Sequence, residues 1–305
     1  MKKHLRIVMA AACAFAMVGA FALFGCSTGE QKADEPKADE PKAESHEAVE
    51  LQLFAANSLS KAMDAVQELY TQDHDWVTFK DTQYLSSGEL NEQLAGGAYA
   101  DVLISASKAK MDEAVDGGYV DEASRFDMFR NDLVMVTGEN SELAAKYGAD
   151  QSFTLADVAT GDYAVAVGDE SVPAGNYACQ SLTTVGSYIE PDGATGADAT
   201  GKGGEFSATL QPKVTLGGKV GDVCKYAESG EVDIAMVYTS DVYRMGGVAI
   251  CSVVPNDTHK AITYPGAVCT DSKSAETAQA FLEWCMTDED ANQIWEKWGF
   301  ELAQN

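Results

Sequence analysis

The chain has 305 residues, 46% of them hydrophobic, enough for one large or two medium globular lobes with buried cores. Its 21 Lys and Arg stand against 48 Asp and Glu, a formal net charge of −27. That balance excludes nucleic acid and an anionic membrane face as partners and disfavours long-range steering of an anion.

At the N-terminus, Lys2, Lys3 and Arg6 precede an uncharged apolar run from Ile7 to Phe24. A charged start, an apolar run and a small residue before Cys26 have the layout of an export signal. The run is also long enough to span a bilayer roughly if it is retained as an anchor, and either way the remainder faces the outside. "KADEPKADEPKAES" (32–45) repeats a unit of Pro, Ala and charge with no large apolar residue, which predicts an extended tether over 26–48.

From Val49 the chain alternates strands and helices. "VELQLF" (49–54) alternates apolar and polar residues, and Leu59, Ala62, Met63, Val66 and Leu69 follow at helical spacing. "WVTFKD" predicts a second strand, Leu90–Leu94 a short helix, "ADVLIS" (100–105) a third strand, and Met111–Val115 another helix. "NDLVMVTG" (131–138) reads as a strand crossing into a second lobe with "YAVAVGD" (163–169), helices from Pro173 and over Val220–Ala227, and the strand "VDIAMVY" (232–238). "VAICSVV" (248–254) leads back, and helices over Ala275–Cys285 and Ala291–Trp298 close the chain. This order predicts an α/β fold of two lobes, each a doubly wound, mostly parallel sheet flanked by helices with the ligand in the cleft. The first lobe is expected over 49–132 and 249–305 and the second over 133–248.

Two stretches, "FAANSLSKAM" (54–63) and "YLSSGEL" (84–90), end a strand on serine and start a helix without a Lys or Arg in the turn. Helix starts leave unpaired N–H groups and carry about half a positive charge, so they hold anions without a cationic side chain. The same residues also read as ordinary helix chemistry. Ser86 or Ser87 with Glu89 makes a capping box, Ser58 an N-cap, and Pro173 a first-turn proline.

"LFAANSLSKAM", "YLSSGELNEQLAGGAYADVLISASKAKMDEAVDGGYVD", "VAVGDESVPAGNYA", "GEVDIAMVYTSDV", "YPGAVC" and "WEKWGFE" follow one another between about 50 and 300. Together they resemble the molybdate/tungstate-binding components of ABC importers, and Leu23–Cys26 resembles a bacterial lipoprotein lipobox. The first resemblance implies a type II periplasmic-binding-protein-like clamp around a tetrahedral oxyanion, with contacts on Ser58, Ser87, Ala174, Val220 and Tyr238. It further implies molybdate or tungstate as ligand, ABC importer permease subunits as partners, a monomer, no cofactor and no enzymatic activity. The second implies removal of residues 1–25 and a lipid on Cys26, anchoring the protein to the cell membrane from outside.

Asn57 departs from the small apolar residue usual in that family, and Tyr84 lies beside the second serine turn. The stretch 190–213 is longer than the family's connection and contains "GATGADATGKGG", a near miss to a phosphate-binding loop in which Gly203 replaces the required hydroxyl; a flexible surface insertion is expected. Cys179, Cys224, Cys251, Cys269 and Cys285 are odd in number, which predicts at least one free thiol and mostly buried, apolar roles. Scattered histidines, no C-x-x-C and no G-x-S-x-G argue against zinc, redox or hydrolase chemistry. The same clamp selecting sulfate or an organic anion, and an exported cysteine or serine enzyme, are the alternative readings.

Overall fold

In a computed structural model of the chain, residues 46–303 are described. The expected export segment, Cys26 and the tether up to Ser45 lie outside them. Two sheets organise the rest. The first has the strand order Glu301–Leu302, Phe126–Arg130, Thr263–Val268, Val102–Ile104, Leu53–Ala56, Gln83–Leu85. The second runs Val214–Gly217, Val165–Gly168, Ile234–Tyr238, Leu133–Gly138, Val248–Val253. Helices flank both, as expected for two α/β lobes.

The sheets are mixed, however, and not mostly parallel. Parallel pairing joins only Val102–Ile104, Leu53–Ala56 and Gln83–Leu85 in the first, and Val214–Gly217, Val165–Gly168 and Ile234–Tyr238 in the second. The other pairings are antiparallel, and each involves Phe126–Arg130, Leu133–Gly138, Val248–Val253 or Thr263–Val268, the strands on either side of the two crossings. Val248–Val253 pairs with Leu133–Gly138 in the second sheet. The return crossing therefore lies between Val253 and Thr263, later than the 248/249 boundary expected.

Thr263–Val268 is a central strand that its composition hides, since it contains Pro265 and Gly266. Proline cannot donate to a ladder and is tolerated at bulges. The register with Phe126–Arg130 shifts between Tyr264 and Pro265, where such a bulge is needed. The expected continuous strand 49–54 is broken at Gln52, whose N–H goes to the fully buried Asp101 carboxylate at 2.8 Å. The stretch 190–213 is tied down more firmly than a loose insertion. The carboxylate of Glu190, 5% exposed, accepts from Gly201 N–H and Thr200 Oγ1. All five cysteines of the described residues are free and buried, in keeping with small apolar packing roles.

One close approach positions the cleft. The helix Pro173–Thr183 begins so soon after the strand Val165–Gly168 that a Cβ on Gly175 would overlap the Gly168 carbonyl. In an ordinary helix Gly→Ala gains about 0.8–1 kcal/mol; here overpacking reverses the sign. We predict that Gly175→Ala lowers unfolding stability by about 1–3 kcal/mol in urea melts. A neutral or stabilising result would contradict this packing.

Candidate functional site

The carboxyl ends of the strands Leu53–Ala56, Gln83–Leu85, Val165–Gly168 and Val214–Gly217 each lead towards a helix start, and four such starts meet at one cavity between the lobes. Ser58, Ser87, Ala174, Val220 and Tyr238 all line it, so the structure brings every predicted contact together. The cavity is small, about 10 Å³, far below the roughly 300–1,000 Å³ of organic-ligand pockets. None of its lining residues is charged. A larger hollow on the second lobe is lined by Glu139, Glu142, Asp162, Glu228 and Asp233 and would repel an anion.

The helix starts differ in how they are finished. Ser86 is the N-cap of Ser87–Ala95: its Oγ accepts from Glu89 N–H, and Glu89 accepts from Ser86 N–H, completing a capping box. Ser86 is thereby the cap, and Ser87 the first helical residue. At Asn57–Leu59, Pro173–Thr183 and Val220–Glu228 no side chain caps the start. Ser58 is accordingly not an N-cap, since it lies inside a 3₁₀ turn that runs on into the helix Ser60–Asp73.

Both serine hydroxyls are held in place at the cavity wall. Ser87 Oγ accepts Ala106 N–H at 3.0 Å. Ser58 Oγ lies 3.0 Å from Tyr264 Oη, which in turn accepts from Asn131 Nδ2 at 3.4 Å. Asn131 can only donate there, while the hydrogen bond between Ser58 and Tyr264 can run in either direction. Tyr264 and Asn131 are positioning residues with no local sequence signal, since Tyr264 lies in "YPGAVC" far along the chain from Ser58.

Tyr238 supplies the remaining donor. It is 1% exposed, and its Oη has no hydrogen-bond partner among the described residues. Burial pushes its phenol well above the ordinary range, with Tyr264, Tyr177 and Asp241 adding to the effect. It therefore stays protonated, an orphaned O–H in a cavity lined by helix starts. Leaving such a group unpaired costs about 1–3 kcal/mol, and an acceptor in the cavity removes that cost.

The lobes are closed over the cavity. Gly88 N–H donates to Ser171 O at 3.2 Å, Ser86 and Ser171 hydroxyls lie 3.3 Å apart, and Lys202 Nζ reaches Glu113 at 3.4 Å. Tyr84, one of the two departures noted in the sequence, turns away and gives its hydroxyl to Asp64 at 2.6 Å. Asn57, the other, remains in the cavity wall.

Comparison with known proteins agrees with this architecture. The model of the family described as "Bacterial extracellular solute-binding protein" matches residues 51–301. "Putative ABC transporter substrate-binding lipoprotein YvgL" of Bacillus subtilis is 30% identical over 300 residues, covering 98% of this chain and 99% of that protein. The molybdate-binding protein ModA of Escherichia coli is 30% identical over 255 residues, covering 83% and 89%. A solved structure, the "substrate binding domain of putative molybdenum ABC transporter from Clostridium difficile", superposes with a TM-score of 0.59 at 28% identity, covering 84% of this chain and all of that one.

Proposed function

We propose that this chain, which belongs to the bacterial extracellular solute-binding protein family, captures molybdate, and tungstate with it, for delivery to an ABC importer. It is an extracytoplasmic solute-binding protein of the ABC type; the choice of oxyanion is the step taken here. The observation that carries it is the orphaned Tyr238 hydroxyl in an uncharged cavity of helix starts. The relatives named for molybdate support the same ligand.

The donor set explains selection. Ser58 and Ser87 would offer O–H and N–H, Ala174 and Val220 backbone N–H, and Tyr238 its phenol, all toward an acceptor-only dianion. Phosphate keeps a proton near neutral pH, and among contacts that act mainly as donors that proton lacks a strong acceptor. Sulfate is a smaller tetrahedron, around which donors fixed by two closed lobes make longer contacts. An organic anion would need more room and, for a carboxylate, a cationic clamp that the lining lacks.

Calorimetric titration tests this reading. Molybdate and tungstate are expected to bind at about 1:1 and sulfate far more weakly; equal affinities for sulfate and molybdate would refute it. Loss of a charge-assisted hydrogen bond of about 1.5–3 kcal/mol means that Ser58→Ala and Ser87→Ala should each raise the molybdate dissociation constant at least about tenfold. Ser86→Ala, which removes only the cap, should lower stability by about 1 kcal/mol and leave affinity nearly unchanged. If the first two variants lose stability but keep affinity, the hydroxyls are structural.

We also propose that Cys26 carries the lipid that holds the protein at the membrane, a reading supported by the lipobox-like Leu23–Cys26. Cys26→Ser is expected to move the protein out of the membrane fraction or to leave it unprocessed. Unchanged fractionation with unchanged gel mobility would count against the anchor.

A further inference from the structure

One polar contact crosses the cleft immediately behind the cavity wall. Arg244, on the helix Thr239–Met245 of the second lobe, donates Nη2 to Asp241 Oδ1 at 2.6 Å and to Asn57 Oδ1 at 3.3 Å. Asn57 belongs to the first lobe and lines the cavity. Asp241 is fully buried, and its other oxygen accepts from Tyr238 N–H at 3.1 Å. A carboxylate one residue contact away from an anion site repels the anion unless its charge is matched. Arg244, itself only 9% exposed, matches it.

The contact with Asn57 has a different consequence, because it joins two lobes instead of bracing one. Gly221, in the first turn of the helix Val220–Glu228, leaves the space in which it forms. A Cβ there would stand 2.9 Å from Asn57 Oδ1 and 3.2 Å from Arg244 Nη2, too close for both to keep their places. Three residues from three elements thus converge on one hydrogen bond that joins the two lobes.

We infer that Asn57 and Arg244 form a closure latch, with Gly221 as its clearance, that holds the lobes over the bound oxyanion and sets the rate of its release. The inference rests on the proposed function for its ligand and on the cross-lobe geometry for its residues. Opening must break a hydrogen bond from a guanidinium, so its loss speeds release much more than it slows capture.

The test is stopped-flow release of molybdate from the full-length protein. Asn57→Ala and Gly221→Ala are each expected to raise the off-rate about tenfold with the on-rate little changed. Ligand-free melts of both variants are recorded alongside, which separates faster release from any stability lost to crowding at Gly221 or to the missing Asn57–Tyr84 contact. Arg244→Gln should release faster still, because it also exposes the anion to Asp241, and adding Asn57→Ala to it should bring no further increase. Wild-type release rates in Asn57→Ala and Gly221→Ala would overturn the latch. A wild-type protein that takes up no molybdate would instead defeat the ligand assignment. In that case the distance between spin labels, one on an exposed site of each lobe, decides the latch. The same two variants should lengthen it in ligand-free protein, and an unchanged distance overturns the inference.

Discussion

The cleft depends on helix starts left without caps. Elsewhere the chain finishes its helices in the usual way: Ser107, Ser141, Thr154 and Asp288 each accept a backbone N–H from the first turn they precede. The start after Ser274 also lacks a cap, but Ala275 and Glu276 are exposed there and water can serve their N–H groups. At Asn57, Pro173 and Val220 the starts are buried and uncapped, and all three face the same cavity. Buried N–H groups are seldom left unpaired, so this pattern suits an acceptor between the lobes. The close approach of Gly175 to Gly168 sets one of those starts directly against its strand.

Charge follows the same logic at two scales. A chain with a net charge of −27 repels a dianion at long range, but at physiological salt charges are screened beyond about 8 Å. Capture is slowed more than the closed complex is weakened. Within the cavity no formal positive charge is present, and attraction comes from aligned peptide dipoles and protonated hydroxyls. Behind the wall, Asp241 and Arg244 are paired at 2.6 Å. Burial raises the carboxyl pKa of Asp241 while the Arg244 charge opposes that shift. Neutral donors suit a weakly basic oxyanion that must later be handed on, since a buried arginine clamp would hold it through the transfer.

Much of this was legible in the residues. Apolar periodicity located most of the helices and most strands of both parallel cores, because those segments carry the burial pattern themselves; Val214–Gly217, an edge strand of the second sheet, was not among the expected elements. The five predicted contacts lie in one cavity because each sits at a strand-to-helix junction, and such junctions have recognisable turn residues. What could not be read had tertiary causes. Thr263–Val268 is a strand whose Pro265 is tolerated only because its neighbour shifts register. Tyr264 orients Ser58 from 206 positions away, a relation with no local signature. Arg244 and Asn57 meet only across the closed cleft. The capping box at Ser86 and the 3₁₀ turn at Ser58 are the reverse case, in which a single local motif had two readings and the backbone chose between them.

The central claim is that the oxyanion is held only through hydrogen bonds to its oxygens. X-ray absorption at the molybdenum edge of the molybdate-loaded protein tests it directly. The account predicts a metal with four oxygen neighbours in tetrahedral geometry, as in free molybdate, and no protein atom bonded to it. A higher coordination number, with a protein oxygen or nitrogen bound to the metal, would contradict it.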